Sequence, residues 1–185
     1  MPAVSTKKMT ARQYLELGED PPGVRLELVD GEIEVSPSPT PRHSRVVMQL
    51  GHILIGHTES GQGGEIFTDV DTIFGEHDVR RPDVLYFAPD RLHLIGDKAM
   101  EGPPDLAVEV ISPSSIRHDR EMKYKLYEAG GVRCYWVVDP AEQTFEAFEH
   151  YDGRYRLVVK GTGDEAVAAP PFADLSIRLS RLWMK

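Results

Sequence analysis

The chain is poor in cysteine. Cys134 is its only one among 185 residues. That excludes an internal disulfide and any cysteine-based zinc site, and it fits a reducing cytoplasm, the expected location. No apolar run approaches the roughly 18 residues a membrane span needs, so no membrane partner is expected. Met1 to Thr10 carries Lys7 and Lys8 but no apolar h-region, so no secretory signal is expected either. There is no Gly-x-Ser-x-Gly elbow, which argues against a serine hydrolase. No phosphate-binding Gly-x-x-x-x-Gly-Lys-Ser/Thr loop occurs, and Gly61-Gln62-Gly63-Gly64 precedes a strand pattern rather than opening a helix. His52, His57, His77, His93, His118 and His150 do not fall into a metal-ligand spacing. Repeats and long linkers are missing too, so residues 1–185 read as one domain with its core at about 24–160. Positive charge is also scarce. With 21 Lys and Arg against 30 Asp and Glu, the formal charge is −9. Such a balance disfavours tight non-specific binding to nucleic acid. A carboxylate cluster that holds divalent cations would account for part of the surplus, and Arg42, His43 and Arg45 form a local basic group.

What is present is a well-punctuated series of short elements. Met9 to Gly18 reads as a short helix with Thr10 as N-cap. Val24 to Val35 reads as a hairpin about Asp30-Gly31, and Ser36 to Pro41 as loop. His43 to Glu59 carries Val46, Val47, Leu50, Ile53 and Leu54 at helical spacing. Gly64 to Val70 is a strand that Asp71 to Phe74 continues or pairs with. Pro82 to Ala88 and Asp105 to Ile111 are further strands, separated by a loop over Arg91 to Gly102. Ser114 or Ser115 caps a helix that reaches about Ala129 and stops at Gly130-Gly131. Arg133 to Val138 is another central strand, and Thr144 to His150 with Tyr155 to Lys160 form a hairpin about Asp152-Gly153. Pro170 to Lys185 forms a short strand or turn and a capping segment. The order αβββαβ, with additional β-hairpins, predicts a central mixed sheet flanked by helices, in the α/β (α+β mixed) class.

The most informative residue is Glu109. The run Leu106-Ala107-Val108-Glu109-Val110-Ile111 is otherwise apolar and is closed by prolines on both sides, the pattern of a strand covered on both faces. An ionised carboxylate there costs several kcal/mol unless a basic side chain or a metal ion compensates it. From Ser112 back to Glu109 is about 10 Å of strand. From Ser115 forward to Lys123 is about 12 Å of helix. A helix packing back on the sheet therefore sets Lys123 level with Glu109. Asp83 opens the preceding apolar strand, directly after Pro82, and joins them if the two strands are neighbours, as consecutive strands usually are. Two carboxylates and a lysine suit metal-assisted phosphodiester cleavage. Hard oxygens suit Mg²⁺, and a nearby lysine can orient or deprotonate the attacking water and offset transition-state charge. The Val110 carbonyl is a candidate further ligand.

Each residue also has a plainer reading. Asp83 can simply start a strand, Glu109 can be a buried ion pair with Arg81 or Lys123, and Asp119 with Lys123 makes an ordinary i,i+4 helix pair. Tyr127 reads as packing with its hydroxyl at the site edge, and Lys125 as solvated. Glu27 falls opposite the apolar face of its hairpin, which predicts exposure. His43, near a helix start, predicts a surface position, from which it could contact phosphate with Arg42 and Arg45. Trp136 and Trp183 read as core or capping residues.

Pro82-Asp83 followed by Glu109-Val110-Ile111 resembles the PD-(D/E)xK pattern of restriction-endonuclease-like nucleases. The wider series is similar to the Uma-type family of that superfamily. It comprises Leu26-Glu27-Leu28-Val29-Asp30-Gly31-Glu32, Ser38-Pro39-Thr40-Pro41-Arg42-His43, Val108 to Ser115, then Asp119, Lys123, Tyr127, Gly131-Val132 and Tyr135-Trp136-Val137-Val138-Asp139-Pro140. The superfamily's usual lysine position holds Ile111, and within this branch Lys123 takes its role. The resemblance implies a restriction-endonuclease-like core and a Mg²⁺- or Mn²⁺-dependent endonuclease acting on DNA, with RNA as a further possible substrate. It assigns Asp83, Glu109 and Val110 to the metal and Lys123 to catalysis, and it implies Glu27 as an accessory acid and a homodimeric assembly. The alternative is a catalytically inactive relative that binds nucleic acid or a protein partner, with Glu109 held by a salt bridge.

Overall fold

The computed structural model describes residues 8–112 and 118–184. Helix α1 (Ala11–Leu15) opens with a capping box. The Thr10 side chain accepts from the Gln13 N–H, and the Gln13 side chain accepts from the Thr10 N–H. Strands β1 (Val24–Val29) and β2 (Glu32–Pro37) form the expected hairpin. Asp30 and Gly31 both take positive φ, 47° and 80°, the conformation of a two-residue turn that follows the strand twist. β2 runs on to Pro37, into the segment read as loop, because β1 is still beside it and Val24 pairs with Pro37. Helix α2 (Pro41–His57) follows, with Pro41 in its first turn and Thr40 as N-cap.

Strands β3 (Glu65–Phe67) and β4 (Thr72–Gly75) neither continue nor pair with one another. β3 pairs with β6 (Val84–Phe87), whereas β4 pairs with β5 (Asp78–Arg80), a strand the sequence pattern did not reveal. Two sheets result. A four-stranded sheet has the order β2-β1-β5-β4. A six-stranded sheet has the order β10-β9-β8-β7-β6-β3, built with β7 (Leu106–Val110), β8 (Cys134–Asp139), β9 (Thr144–Tyr151) and β10 (Arg154–Thr162). Among the described strand pairs β7 and β8 alone run parallel, joined by a crossover that ends in helix α3 (Tyr124–Ala129). The mixed sheet flanked by helices is the architecture expected. The predicted cap at Ser114 or Ser115 lies outside the described residues. From His118 to Lys123 the chain winds more loosely than an α-helix before α3 begins. The tail contributes a hairpin of β11 (Ala166–Ala169) and β12 (Phe172–Arg178).

Strand parity explains the core. On one face of the large sheet Val84, Tyr86, Leu106, Val108, Val110 and Trp136 pack against Val46, Leu50 and Leu54 of α2 and against Phe172 of β12. On the other, Ala107, Ile111, Tyr135 and Val137 pack against Tyr127 of α3. Every residue of β7 and β8 is buried, as two covered faces require. Glu109 shares the face of Ala107 and Ile111, under α3. Trp136 and Trp183 are both buried, their indole N–H groups bonded to the carbonyls of Pro170 and Gly163. Leu50 is fully buried between α2 and the sheet. Leu50→Ala is expected to cost about 2–5 kcal/mol of unfolding free energy in urea titration.

Candidate active site

The site forms where the polar face of β1 meets the adjoining ends of β6 and β7. Val84 pairs with Val108 across the β6–β7 ladder, and one further step along that register sets Asp83 beside Glu109. The Asp83 N–H donates to the Val108 carbonyl at 3.0 Å. Its carboxylate accepts from the Val110 N–H at 2.7 Å and bonds His43 Nε2 at 3.0 Å through Oδ2, while Oδ1 lies 3.4 Å from Arg25 Nη1. Burial pushes the Asp83 carboxyl up. The His43 hydrogen bond and the charges of His43, Lys123 and Arg25 outweigh burial, so its pKa falls below the ordinary aspartate range.

Glu109 is compensated on both oxygens. Lys123 Nζ donates to Oε2 at 2.8 Å and the Tyr127 hydroxyl to Oε1 at 2.6 Å. The face of the helical crossover thus delivers both partners, four residues apart. Burial, with the charges of Glu109 and Glu27, raises the Tyr127 hydroxyl well above its ordinary value, so it stays a protonated donor at neutral pH. Arg81, the other basic partner considered for Glu109, is engaged elsewhere. Its guanidinium bonds Asp20 and Asp71, which fixes the backbone just before Pro82-Asp83.

Glu27 is buried, contrary to the exposure predicted for it. The reason is that β1 is covered on both faces. Leu26 and Leu28 pack with α1, and Arg25 and Glu27 turn toward the large sheet. Glu27 accepts from the Arg81 N–H at 2.8 Å and has Lys123 Nζ at 3.7 Å, Arg80 at 3.7 Å and Arg25 at 3.8 Å. Burial opposes ionisation of Glu27, but Lys123, Arg25, the Arg81 N–H and Arg80 together lower its pKa. His43 likewise leaves the surface position predicted for it. It is buried on the first turn of α2, facing Asp83, while Arg42 stays exposed and Arg45 is half-buried. Lys125 is exposed, as predicted.

Arg25 escaped the sequence reading, although its parity with Glu27 on β1 was there to be seen. Its guanidinium reaches Asp83 and Glu27 and donates to the Arg81 carbonyl. Its Nε is 3.1 Å from Asp69 Oδ1, an ion-pair distance with poor hydrogen-bond alignment. Burial works against the Arg25 charge, but Asp83, Glu27, Asp69 and Glu109 hold its pKa above the ordinary arginine value. Ile111, at the position where the superfamily carries lysine, is buried in the apolar cluster with Tyr127 and Ala107, so no charge could be housed there cheaply.

The arrangement is a buried carboxylate cluster on adjoining strands, balanced by a lysine and arginines, in a mixed sheet flanked by helices. That combination belongs to the nuclease folds of the restriction-endonuclease type. Residues 11–180 match the Uma2 family, described as "Putative restriction endonuclease", and the chain belongs to that family. Among solved structures it is similar to one from Anabaena variabilis whose title calls it a "putative nuclease belonging to DUF820". The TM-score is 0.76 at 22% identity, over 94% of this chain and 97% of the other. At that identity the likeness concerns the fold. No curated protein matches the chain.

Two consequences are measurable. Lys123→Met leaves Glu109 buried without its cation and is expected to cost about 3–5 kcal/mol in urea unfolding, part of which Glu109→Gln restores in the double variant. The lowered values of Asp83 and Glu27 make their contribution complete above the ordinary carboxylate range, about 4, and lost as pH falls through the depressed folded-state values. Thermal unfolding should therefore show Tm dropping steeply below about pH 4. Glu27→Gln should lower Tm at pH 7 and flatten that acid limb.

Proposed function

We propose that the protein is a metal-dependent endonuclease that hydrolyses phosphodiester bonds in DNA, with Asp83, Glu109, Lys123 and Glu27 as its working residues. The observation that carries this reading is the convergence on one buried cluster of Asp83 from just before β6, Glu109 from β7 and Lys123 from the following crossover.

The donor set fits Mg²⁺ or Mn²⁺. The carboxylates of Asp83 and Glu109 and the Val110 carbonyl are hard oxygens, as these ions prefer. Among the described residues no three acids or histidines already form a cage. Mg²⁺ does not need one, since it takes one or two carboxylates and keeps several waters. When bound, such an ion lowers the pKa of a coordinated water and polarises the phosphate. The chain's own residues do the rest. Lys123, on Glu109 and near Glu27, is placed to hold a water and offset charge on the phosphorane-like transition state. Glu27, 3.7 Å from Lys123 Nζ, helps to position the ammonium group. The Val110 N–H and His43 both bond Asp83 Oδ2 and fix the orientation of the carboxylate. Arg42 and Arg45, near the N-terminus of α2 with His43 between them, are assigned to the DNA backbone. A homodimer, with one site per strand, completes the proposal.

One observation favours the second reading, a catalytically inactive relative binding nucleic acid or a protein. Both oxygens of Glu109 and both of Asp83 already have internal partners. Calorimetric titration with Mn²⁺ separates the two. The nuclease reading expects binding that disappears in Glu109→Gln, and absence of binding to the wild-type protein favours the inactive relative.

For catalysis itself, wild-type protein with Mg²⁺ or Mn²⁺ is expected to nick supercoiled plasmid. Asp83→Asn, Glu109→Gln and Lys123→Ala are each expected to reduce nicking at least 100-fold, on the order of what one transition-state electrostatic contact supplies. Full activity in any of the three, with folding verified by circular dichroism, rejects that residue's assignment.

A further inference from the structure

The acids and the lysine of the site are recessed. Relative exposure is 3% for Glu27, 5% for Asp83, 2% for Glu109 and 6% for Lys123. A phosphate held in the outer wall of an intact duplex stands off from groups this deep. A cleft of about 340 Å³ opens beside Asp83, between the first half of α2 and the segment around Thr68. Its chemistry is divided. Arg25, His43 and Asp83 line its buried side, while Pro39, Val47 and Met48 offer apolar surface toward solvent.

That division matches one nucleotide rather than a base pair. The guanidinium of Arg25 lies where it can take a phosphate oxygen next to the carboxylates it now neutralises. Asp69 and Asp83 oppose an anion there, so Arg25 and the bound cation of the nuclease reading must outweigh them. On the other side Met48 is 60% exposed although apolar, and its polarisable thioether suits the face or edge of an aromatic ring. A base laid there needs no particular hydrogen-bond pattern, which makes the contact tolerant of sequence. His43 lines the same wall of the cleft, its Nε2 held by Asp83.

We propose that this cleft seats one unpaired nucleotide, with its phosphate on Arg25 and its base against Val47 and Met48, so that single-stranded DNA is the preferred substrate. Duplex is then used where it is melted or frayed, because a paired base has to leave its stack to enter. The inference rests on the nuclease reading and deepens it by naming the substrate class of the same site.

The test uses the full chain and two labelled probes, a twelve-residue oligothymidylate and a blunt duplex of matched length, with anisotropy read in Ca²⁺. The single strand is expected to bind at least 10-fold more tightly. Met48→Glu places a carboxylate in the cleft mouth at an exposed position, where folding is undisturbed. It should weaken oligothymidylate binding at least 10-fold while Tm stays unchanged. Equal or tighter duplex binding overturns the inference, as does a Met48→Glu protein that binds the single strand like wild type. Cleavage in Mg²⁺ or Mn²⁺ of single-stranded and relaxed duplex circles is scored beside binding. Equal cutting of both circles, unaffected by Met48→Glu, overturns the cleft and leaves the nuclease standing. Tight, Met48-dependent binding of the single strand with no cutting overturns the nuclease and supports the cleft.

Discussion

The contact between Glu109, Lys123 and Tyr127 is the constraint on which the rest of this architecture turns. A carboxylate in the middle of a strand covered on both faces has no water to fall back on. Its two oxygens must be met by the protein, and they are met by side chains from one helical crossover. That requirement fixes the height of the crossover on the sheet. Lys123 in turn lies 3.7 Å from Glu27, which belongs to the other sheet. The two sheets are therefore joined at this point by charge as well as by apolar contact. Replacing such a network with well-packed apolar residues is often neutral or stabilising. A fold seeking stability alone has little reason to keep it, and perturbed, compensated acids of this kind cluster at functional sites.

Lys123 and Glu109 could be read from the sequence because everything that brings them together is local. They lie close along the chain, on a buried strand and on the crossover that follows it. The turns at Asp30-Gly31 and Asp152-Gly153 were legible for the same reason, since both need positive φ at two successive positions and the residue types announce it. The partner of a strand is a different matter. Alternation in β3 and β4 says that each is half-buried but not which sheet each one joins. β5 is three residues long and carries Arg80, so it offers no apolar pattern at all. Glu27 was misplaced by the assumption that a polar residue opposite an apolar face looks at water, and His43 by the assumption that a helix start lies at the surface. Both look instead at another element, brought over them by contacts distant in sequence.

Electrostatics at the site also revises the meaning of the overall charge. A surplus of acids would follow naturally from a carboxylate cluster waiting for cations. Yet Glu27, Asp83 and Glu109 are matched within the protein by Arg25, Arg80 and Lys123. Arg25 and Arg80 also meet Asp69 and Asp78, so acids still outnumber bases there. On the proposed reading, the two positive charges of a bound cation would offset that surplus and make the site attractive to one phosphodiester and more so to its more highly charged transition state. Such differential binding is the kind that accelerates a reaction.

An acidic molecule with a recessed site has little long-range attraction to offer a polyanion. Sliding and steering along duplex DNA depend on an extended basic surface, and the basic group near the start of α2 is small. On the proposed reading, recognition would rest on short-range contact, which favours a substrate able to deform into the site. A single strand deforms at little cost, whereas a duplex gives up stacking and pairing of a few kcal/mol for each base withdrawn. Burial of the acids and the overall negative charge both weigh toward the proposed substrate, one that would reach the site by insertion rather than by docking against a flat surface.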